Sequence, residues 1–296
     1  MSDFKRISIK DRDLICSYLS EGDNIGCEFS FGNNILWDIS GQLMFCVVDD
    51  ILVYRLDNKS VFYYYTPSFK GNSEAFVSFI QNDAASMDKK YVIGSLNESM
   101  KNELSKAFGG KFEYNFDRNL SDYVYLVDEL AELKGRKFHK KKNHYNSFVK
   151  NNDFVYETIS RENVRDCLEM KNRWMAQKGE LTESLHIENT AIDKALSHYE
   201  AFGFEGGLIR INGVVCAFTL GEGIGKDTFV THFEKADDSV NGLYAAINKE
   251  FTTHELLGKY RYVNREEDMG LEGLRQAKMT YNPVMIYEKY SATPIC

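Results

Sequence analysis

The dipeptide Asn212-Gly213 separates two runs rich in β-branched and apolar residues, Gly207 to Ile211 and Val214 to Leu220. Asn followed by Gly most readily takes up the two consecutive positive φ values of a two-residue hairpin, so the runs pair antiparallel in a fixed register. The other elements of the second half fall into order around that hairpin. Phe154 to Ile159 reads as a strand, and two helical stretches follow, Arg161 to Gln177 and Ile187 to Phe202. Beyond the hairpin, Asp227 to Glu234 extends the meander. Gly242 to Phe251 then carries Leu243, Ile247 and Phe251 at a spacing of four, the apolar stripe of a helix laid on a sheet. Tyr260 to Asn264 is a short strand. Asp268 stands where it can cap a helix in which Leu271, Leu274 and Lys278 share one face. Asn282-Pro283 ends that helix ahead of a last strand, Val284 to Tyr290.

The first half repeats this succession without repeating its residues. A helix at Arg12 to Ser20 precedes strands at Leu43 to Val48, Ile51 to Leu56 and Ser60 to Tyr65. A helix over Ser73 to Met87, a strand Tyr91 to Gly94, a helix Glu98 to Phe108 and a strand Lys111 to Phe116 complete it. A chain of 296 residues exceeds the usual size of one domain. The reading is therefore of two domains, 1–121 and 153–296, joined by a strand and a basic helix over 122–152, the helix broken around Gly135. This order of elements is that of the GNAT, or acetyltransferase-like, unit. The expected fold class is α+β: two tandem GNAT-like domains, each a mixed, mostly antiparallel sheet flanked by helices.

Composition removes several alternatives. Hydrophobic residues make up 43% of the chain and prolines number three, as in an ordered globular protein. Apolar runs such as Leu43 to Val48 and Ile51 to Tyr54 fall far short of the roughly 20 residues that span a bilayer. Charges at Asp3, Lys5, Arg6, Lys10, Asp11, Arg12 and Asp13 exclude a leader of the secretory kind, so a cytoplasmic location is expected. Cys16, Cys27, Cys46, Cys167, Cys216 and Cys296 are widely spaced, and the six histidines form no HxH or HExxH pattern; neither a metal site nor a disulfide framework is signalled. No permanently bound cofactor is implied. A net charge of -8 argues against indiscriminate nucleic-acid binding. Yet no acid stands between Glu132 and Asp153, where Lys134, Arg136, Lys137, Lys140, Lys141, Lys142 and Lys150 cluster.

Three segments carry a family resemblance. FEKADDSVNGLYAAINKEF (Phe233 to Phe251) and YVNREEDMGLEGLRQAKMTYNP (Tyr262 to Pro283) resemble the C-terminal catalytic domain of bacterial phosphatidylglycerol lysyltransferases and its soluble relatives. LKGRKFHKKKNHYNSF (Leu133 to Phe148) is similar to the helix that joins that family's domains. The resemblance implies the tandem GNAT fold shared with Fem-type peptidoglycan aminoacyltransferases, and transfer of an aminoacyl group from a charged tRNA. The family's membrane enzymes carry a transmembrane region ahead of this domain, which this sequence does not show. A small molecule, a peptide or a lipid headgroup thus stands as the acceptor, and the oligomeric state is open.

Candidate site residues follow. In acetyltransferases of this fold the loop before the helix offers amides to the pyrophosphate of coenzyme A. Here that loop is Ser239 to Tyr244, with Glu234, Asp237 and Asp238 at its entrance and the bulky Tyr244 within it. Repulsion of about 1–2 kcal/mol per close carboxylate costs roughly tenfold in affinity, which disfavours coenzyme A in the second domain. The same acids, with Asn241 and Tyr244, suit the ammonium of an aminoacyl group; plain solvated loop acids are the competing reading. In the first domain Lys70-Gly71-Asn72 precedes a helix and offers a phosphate grip to an acyl-CoA, or is only a turn. Asn264, Arg265, Glu267 and Asp268 gather at a strand end, with Arg275 and Lys278 on the following helix. Arg265, Glu267 and Lys278 are expected to be catalytic, with Arg265, Lys278 or a backbone amide facing a developing oxyanion, in a cleft between the domains. The structural alternative makes Asp268 a cap and pairs Glu267 with Arg265. Lys137, Lys140, Lys141 and His144 form a basic arc for an RNA acceptor stem or a phosphate, or else a solvated helix face, with Phe138, Tyr145, Phe148 and Val149 on the docking side. His232 is a conceivable general base, with a packed histidine as the alternative. An acyl-CoA-dependent N-acyltransferase and a non-catalytic binding module of the same fold are the other functional readings.

Overall fold

The computed structural model describes residues 4–20, 24–177 and 182–295. Its elements run β1 (Lys5–Arg6), α1 (Arg12–Leu19), α2 (Phe31–Leu36), β2 (Leu43–Val48), β3 (Ile51–Asn58), β4 (Val61–Tyr65), α3 (Ser73–Ser86), β5 (Lys90–Leu96), α4 (Glu98–Phe108) and β6 (Phe112–Phe116). There follow β7 (Asp122–Leu126), α5 (Val127–Glu132), α6 (His139–Asn151), β8 (Phe154–Thr158), α7 (Val164–Ala176), α8 (Glu183–Ser197) and α9 (Tyr199–Phe202). The chain closes with β9 (Glu205–Ile211), β10 (Val214–Ile224), β11 (Thr228–Ala236), α10 (Leu243–Phe251), β12 (Tyr262–Asn264), α11 (Glu272–Met279), β13 (Met285–Tyr287) and β14 (Tyr290–Pro294). Two compact units result. One comprises Met1–Asp122, Glu267–Gly270 and Tyr287–Cys296, the other Tyr123–Glu266 and Leu271–Ile286. The fold is α+β, two mixed sheets flanked by helices in the tandem GNAT arrangement.

In the first unit the strand order is β1-β2-β3-β4-β5-β14-β6. The meander β2-β3-β4 is antiparallel, and β4 pairs parallel with β5, Val61 facing Lys90. Helix α3 is capped by Asn72, whose side chain accepts from the Ala75 amide, and it buries Phe76, Val77 and Ile80 in a core with Ile93, Leu104 and Ala292. The last strand departs from the sequence reading. Val284 to Tyr290 is not one strand: β13 lies at the edge of the second sheet, while β14 sits inside the first, antiparallel to both β5 and β6. The run Ser291-Ala292-Thr293-Pro294 has too little apolar alternation to announce a strand, yet Ala292 is fully buried in that core.

The second sheet runs β13-β7-β12-β11-β10-β9-β8. Strand β7, read from sequence as part of a bridge, is a sheet member whose Tyr123, Val124 and Tyr125 are buried. The Asn212-Gly213 hairpin forms as expected, Val214 facing Ile211. Strand β11 pairs parallel with β12 only from Thr228 to Val230 and then runs on to Ala236 without it. In the same stretch the register against β10 slips: Gly221 faces Thr231 and Leu220 faces Phe233, so His232 is the extra residue of a bulge. Gly221 is required there, because a Cβ would run into the Val230 carbonyl oxygen. Helix α11 buries none of its residues, so the expected apolar face of Leu271 and Leu274 is exposed.

The place of β14 yields a prediction. Ala292→Asp sets an unpaired carboxylate in the first unit's core and should cost at least about 3 kcal/mol, whereas Thr293→Asp on the same strand, exposed, should cost under about 0.5 kcal/mol; urea unfolding measures both.

Candidate functional site

The turn after β12 is held through the amide, the carbonyl and the carboxylate of one residue. Glu266 adopts φ of 58°, unfavourable for a side chain of its kind. Its N–H donates to Asn264 Oδ1 at 2.7 Å, and its carbonyl accepts from the Tyr123 amide at 3.2 Å and from Lys278 Nζ at 3.2 Å. Its carboxylate meets His232 Nδ1 at 2.9 Å, while His232 Nε2 reaches Glu222 Oε1 at 3.0 Å. Burial of the His232 ring works against its charge, but hydrogen bonds and negative charge from Glu222 and Glu266 prevail, raising its pKa from 6.5 to about 9. The ring is an imidazolium at neutral pH and donates on both sides. It has no lone pair with which to act as a general base.

Next to this turn, Arg265 Nη2 donates to Glu234 Oε1 at 2.8 Å, and Glu234 Oε2 accepts from Asn248 Nδ2 at 3.1 Å. The guanidinium also lies 4.9 Å from the centroid of Tyr281. Lys278 Nζ donates to the Arg265 carbonyl at 2.6 Å, and the Lys278 carbonyl in turn accepts from the Tyr125 hydroxyl at 2.9 Å. These contacts stitch α11 to β7 and to the turn.

A hollow of about 280 Å³ opens at the start of α10. Its walls are Lys141 and His144 of α6, Tyr281, and the segment Asp238, Val240 to Ala245. Gly242 enters α10 with φ of 82°, and a Cβ there would meet the His144 carbonyl, so α6 lies hard against the helix start. The first-turn amides of α10 have no acceptor within the helix. Lys141 Nζ stands 3.8 Å above the Tyr281 ring, and burial together with the Arg265 charge lowers its pKa from 10.5 to about 8. Tyr244, rising to about 12 through burial and the Asp238 charge, forms part of the rim.

A sequence model of the phosphatidylglycerol lysyltransferase C-terminal domain matches residues 22–293. The chain belongs to this family. No curated protein matches it in sequence. Among solved structures, a conserved protein of unknown function from Bacteroides thetaiotaomicron is 35% identical, with a TM-score of 0.91 and full coverage of both chains. The C-terminal domain of a putative lysylphosphatidylglycerol synthetase from Agrobacterium fabrum superposes with a TM-score of 0.69 at 10% identity, covering 98% of this chain and 93% of that one. FemX gives a TM-score of 0.65 at 10% identity, covering 98% and 97%. At that identity these two establish the fold.

Within this lysyltransferase-family chain the sequence-predicted residues sort into groups. Asp238, Asn241, Tyr244, Lys141 and His144 line the hollow of the second unit. Glu234 is tied to Arg265, and Asp237 Oδ1 accepts from both the amide and the hydroxyl of Ser239; neither lines this hollow. Asn264 shapes the turn. Arg275 lies on α11, its amide bonded to the Leu271 carbonyl. Lys137 pairs with Glu129 at 2.7 Å, Lys140 is exposed, and Val149, expected on the docking side, is exposed too. Lys70 of the first unit pairs with Asp50 at 2.7 Å, and Asn72 already caps the helix beside it. Asp268 is not a helix cap: it is fully buried, accepting from the Gly270 amide at 2.8 Å, with Arg118 at 3.7 Å, and α11 starts later, at Glu272.

Glu267 pairs differently from either reading of it. It belongs to the first unit, where Oε2 accepts from Cys27 Sγ at 3.1 Å and Oε1 lies 3.8 Å from Lys289 Nζ, not from Arg265. Lys289 also contacts Glu28 at 2.7 Å and Asp122 at 2.9 Å. Cys27, Asp122 and Glu267 bring one sulfur and two oxygens within 4.8 Å, close enough for a metal ion. The Lys289 ammonium already supplies the cation there: burial disfavours its charge, but Asp122, Cys27, Glu28 and Glu267 hold its pKa well above the usual value. Burial and the surrounding carboxylates hold the Cys27 thiol protonated, the opposite of what a metal ligand needs. Sequence reasoning missed Lys289, Asp122, Glu222, Asn248 and Tyr281; Asn248 and Tyr281 fall inside the segments that carry the family resemblance but were not singled out, and the other three lie outside them. Gly221 inside a strand was the one available hint, pointing to the bulge at His232.

Because the folded pKa of His232 is raised, its contribution to stability is complete below about pH 6.5 and is lost as pH rises through 9. His232→Gln strands two carboxylates and should cost about 3–5 kcal/mol at pH 6.5. Melting temperature measured from pH 6.5 to 10 should fall more steeply for the wild type than for the variant, and the two curves should converge.

Proposed function

We propose that this chain transfers an aminoacyl group from a charged tRNA to an amine or hydroxyl acceptor, with the aminoacyl end of the donor in the hollow at the start of α10. The observation that carries the reading is the pairing, in a lysyltransferase-family chain, of a carboxylate rim at Asp238 with a cationic floor at Lys141. Asp238 takes the donor's ammonium, and Tyr244 covers its side chain. The structural relatives, a putative lysylphosphatidylglycerol synthetase domain and FemX, support the class of chemistry.

In this mechanism the acceptor nitrogen or oxygen attacks the ester carbonyl, the bond from that carbon to the ribose oxygen breaks, and the acceptor's proton ends on the departing hydroxyl. Positioning supplies most of the rate. The developing oxyanion is met by the Tyr244 and Ala245 amides in the first turn of α10, since the Leu243 and Ala246 amides donate to the Val240 and Gly242 carbonyls. Arg265 and Lys278, bonded to Glu234 and to carbonyl oxygens, act by holding the turn and Tyr281 in place. Glu267 has no part in the second unit's chemistry. A small amine, a peptide amine and a lipid headgroup all fit as acceptors.

The test is release of a radiolabelled amino acid from charged tRNA in the presence of candidate acceptors. The wild type should consume the ester faster than spontaneous hydrolysis and label the acceptor. Asp238→Asn should lose about tenfold in kcat/KM, with melting temperature unchanged. A wild-type rate equal to the uncatalysed one for every charged tRNA tried would end the proposal.

A further inference from the structure

We infer that the second unit has a further ligand site, for the zwitterionic end of a free α-amino acid, in a small pocket between the last turns of α7 and the start of β10. The pocket has about 50 Å³ of free space, and Met170, Arg173, Trp174, Val215, Cys216 and Asp237 are among its walls. It shares no lining residue with the hollow at the start of α10, and the inference does not depend on the transfer reading. Its base is apolar and fixed. Met170, Trp174 and Val215 are buried, and the Lys235 ammonium, paired with Glu188 at 2.8 Å, stands 4.4 Å from the centre of the Trp174 ring.

The two charged walls are opposite in sign and unpaired. Arg173 Nη2 donates to the Val215 carbonyl at 2.6 Å, and the guanidinium meets no carboxylate among the described residues. The Asp237 amide donates to the Cys216 carbonyl at 2.9 Å and Oδ1 accepts from Ser239; the carboxylate meets no cation among the described residues. Both charges act on one sulfur. Burial raises the pKa of the half-buried Cys216 thiol and a backbone hydrogen bond at Ile211 lowers it, while the Asp237 charge raises it and the Arg173 charge lowers it. A guanidinium and a carboxylate that share a pocket without closing on each other suit a ligand that brings both complementary charges: its carboxylate to the remaining N–H groups of Arg173, its ammonium to Asp237 Oδ2. Volume decides how much of that ligand enters. At roughly 10–15 Å³ per water-sized group, the space admits about three to five heavy atoms. A carboxylate, an α-carbon and an amino nitrogen fill it, and the side chain is left to project past the exposed Val214 and Gln177. The site therefore selects the charged end and tolerates different side chains.

Calorimetric titration of the whole chain with glycine, L-alanine and L-lysine tests the assignment without turnover. All three should bind saturably, and glycinamide and N-acetylglycine, each lacking one charge, should bind at least about tenfold more weakly than glycine. Arg173→Gln should bind glycine and glycinamide alike, and Asp237→Asn should bind glycine and N-acetylglycine alike; the Asn side chain still accepts from Ser239, so the turn is kept. Saturating glycine should slow iodoacetamide alkylation of Cys216, read peptide by peptide in a mass spectrometer, at least about threefold and leave that of Cys16 unchanged. No saturable binding by any of the three amino acids, binding of glycinamide and N-acetylglycine as tight as that of glycine, or binding that leaves Cys216 as reactive as before overturns the inference.

Discussion

The second unit depends on a buried positive charge with a negative charge on each side. His232 could not remain ionised in that environment on one hydrogen bond; the two carboxylates of Glu222 and Glu266 make it possible. A buried ion triad of this kind gains little stability over an apolar substitute. What it does fix is geometry. Glu266 is held in a backbone conformation it would otherwise avoid, and its neighbours Arg265 and Lys278 have their directions set by the same turn. The β-bulge that aims His232 at both acids is therefore part of the same device, and Gly221 is the residue that permits it.

Charge neutralisation is the reason the proposed chemistry is placed at the hollow and not at the most charged sequence block. Asn264 to Lys278 looks like a catalytic cluster on paper because its charges are adjacent in the chain. In space the block divides: Glu267 and Asp268 lie against Lys289 and Arg118 in the first unit, and Arg265 and Lys278 bond to Glu234 and to carbonyl oxygens in the second. The groups that line the hollow lie around the helix start of α10 and on α6, which the Gly242 contact presses together, and on Tyr281.

Much of the fold was legible in the sequence because it is written in local signals. Asn212-Gly213 fixed a hairpin, the spacing of Leu243, Ile247 and Phe251 fixed α10, and the repeated order of elements gave the tandem architecture. The C-terminal strand was not legible, since Ser291-Ala292-Thr293 carries no amphipathic pattern and its partners β5 and β6 are far away in sequence. The site was legible as a neighbourhood and not as a set of partners. The Asp238 to Tyr244 loop was found through its place before a helix. Which acid meets which base depends on non-local pairs such as Lys289 with Asp122, or His232 with Glu222, and no spacing rule encodes them.

The most direct measurement of the central claim is a crystal structure of the chain with a 3′-aminoacylamino-adenosine, in which an amide replaces the labile ester. The account predicts density for the aminoacyl group in the hollow bounded by Asp238, Tyr244 and Tyr281, with its ammonium at Asp238 and its carbonyl oxygen at the first turn of α10. Density for the analogue at any other place, with that hollow unchanged, would contradict it.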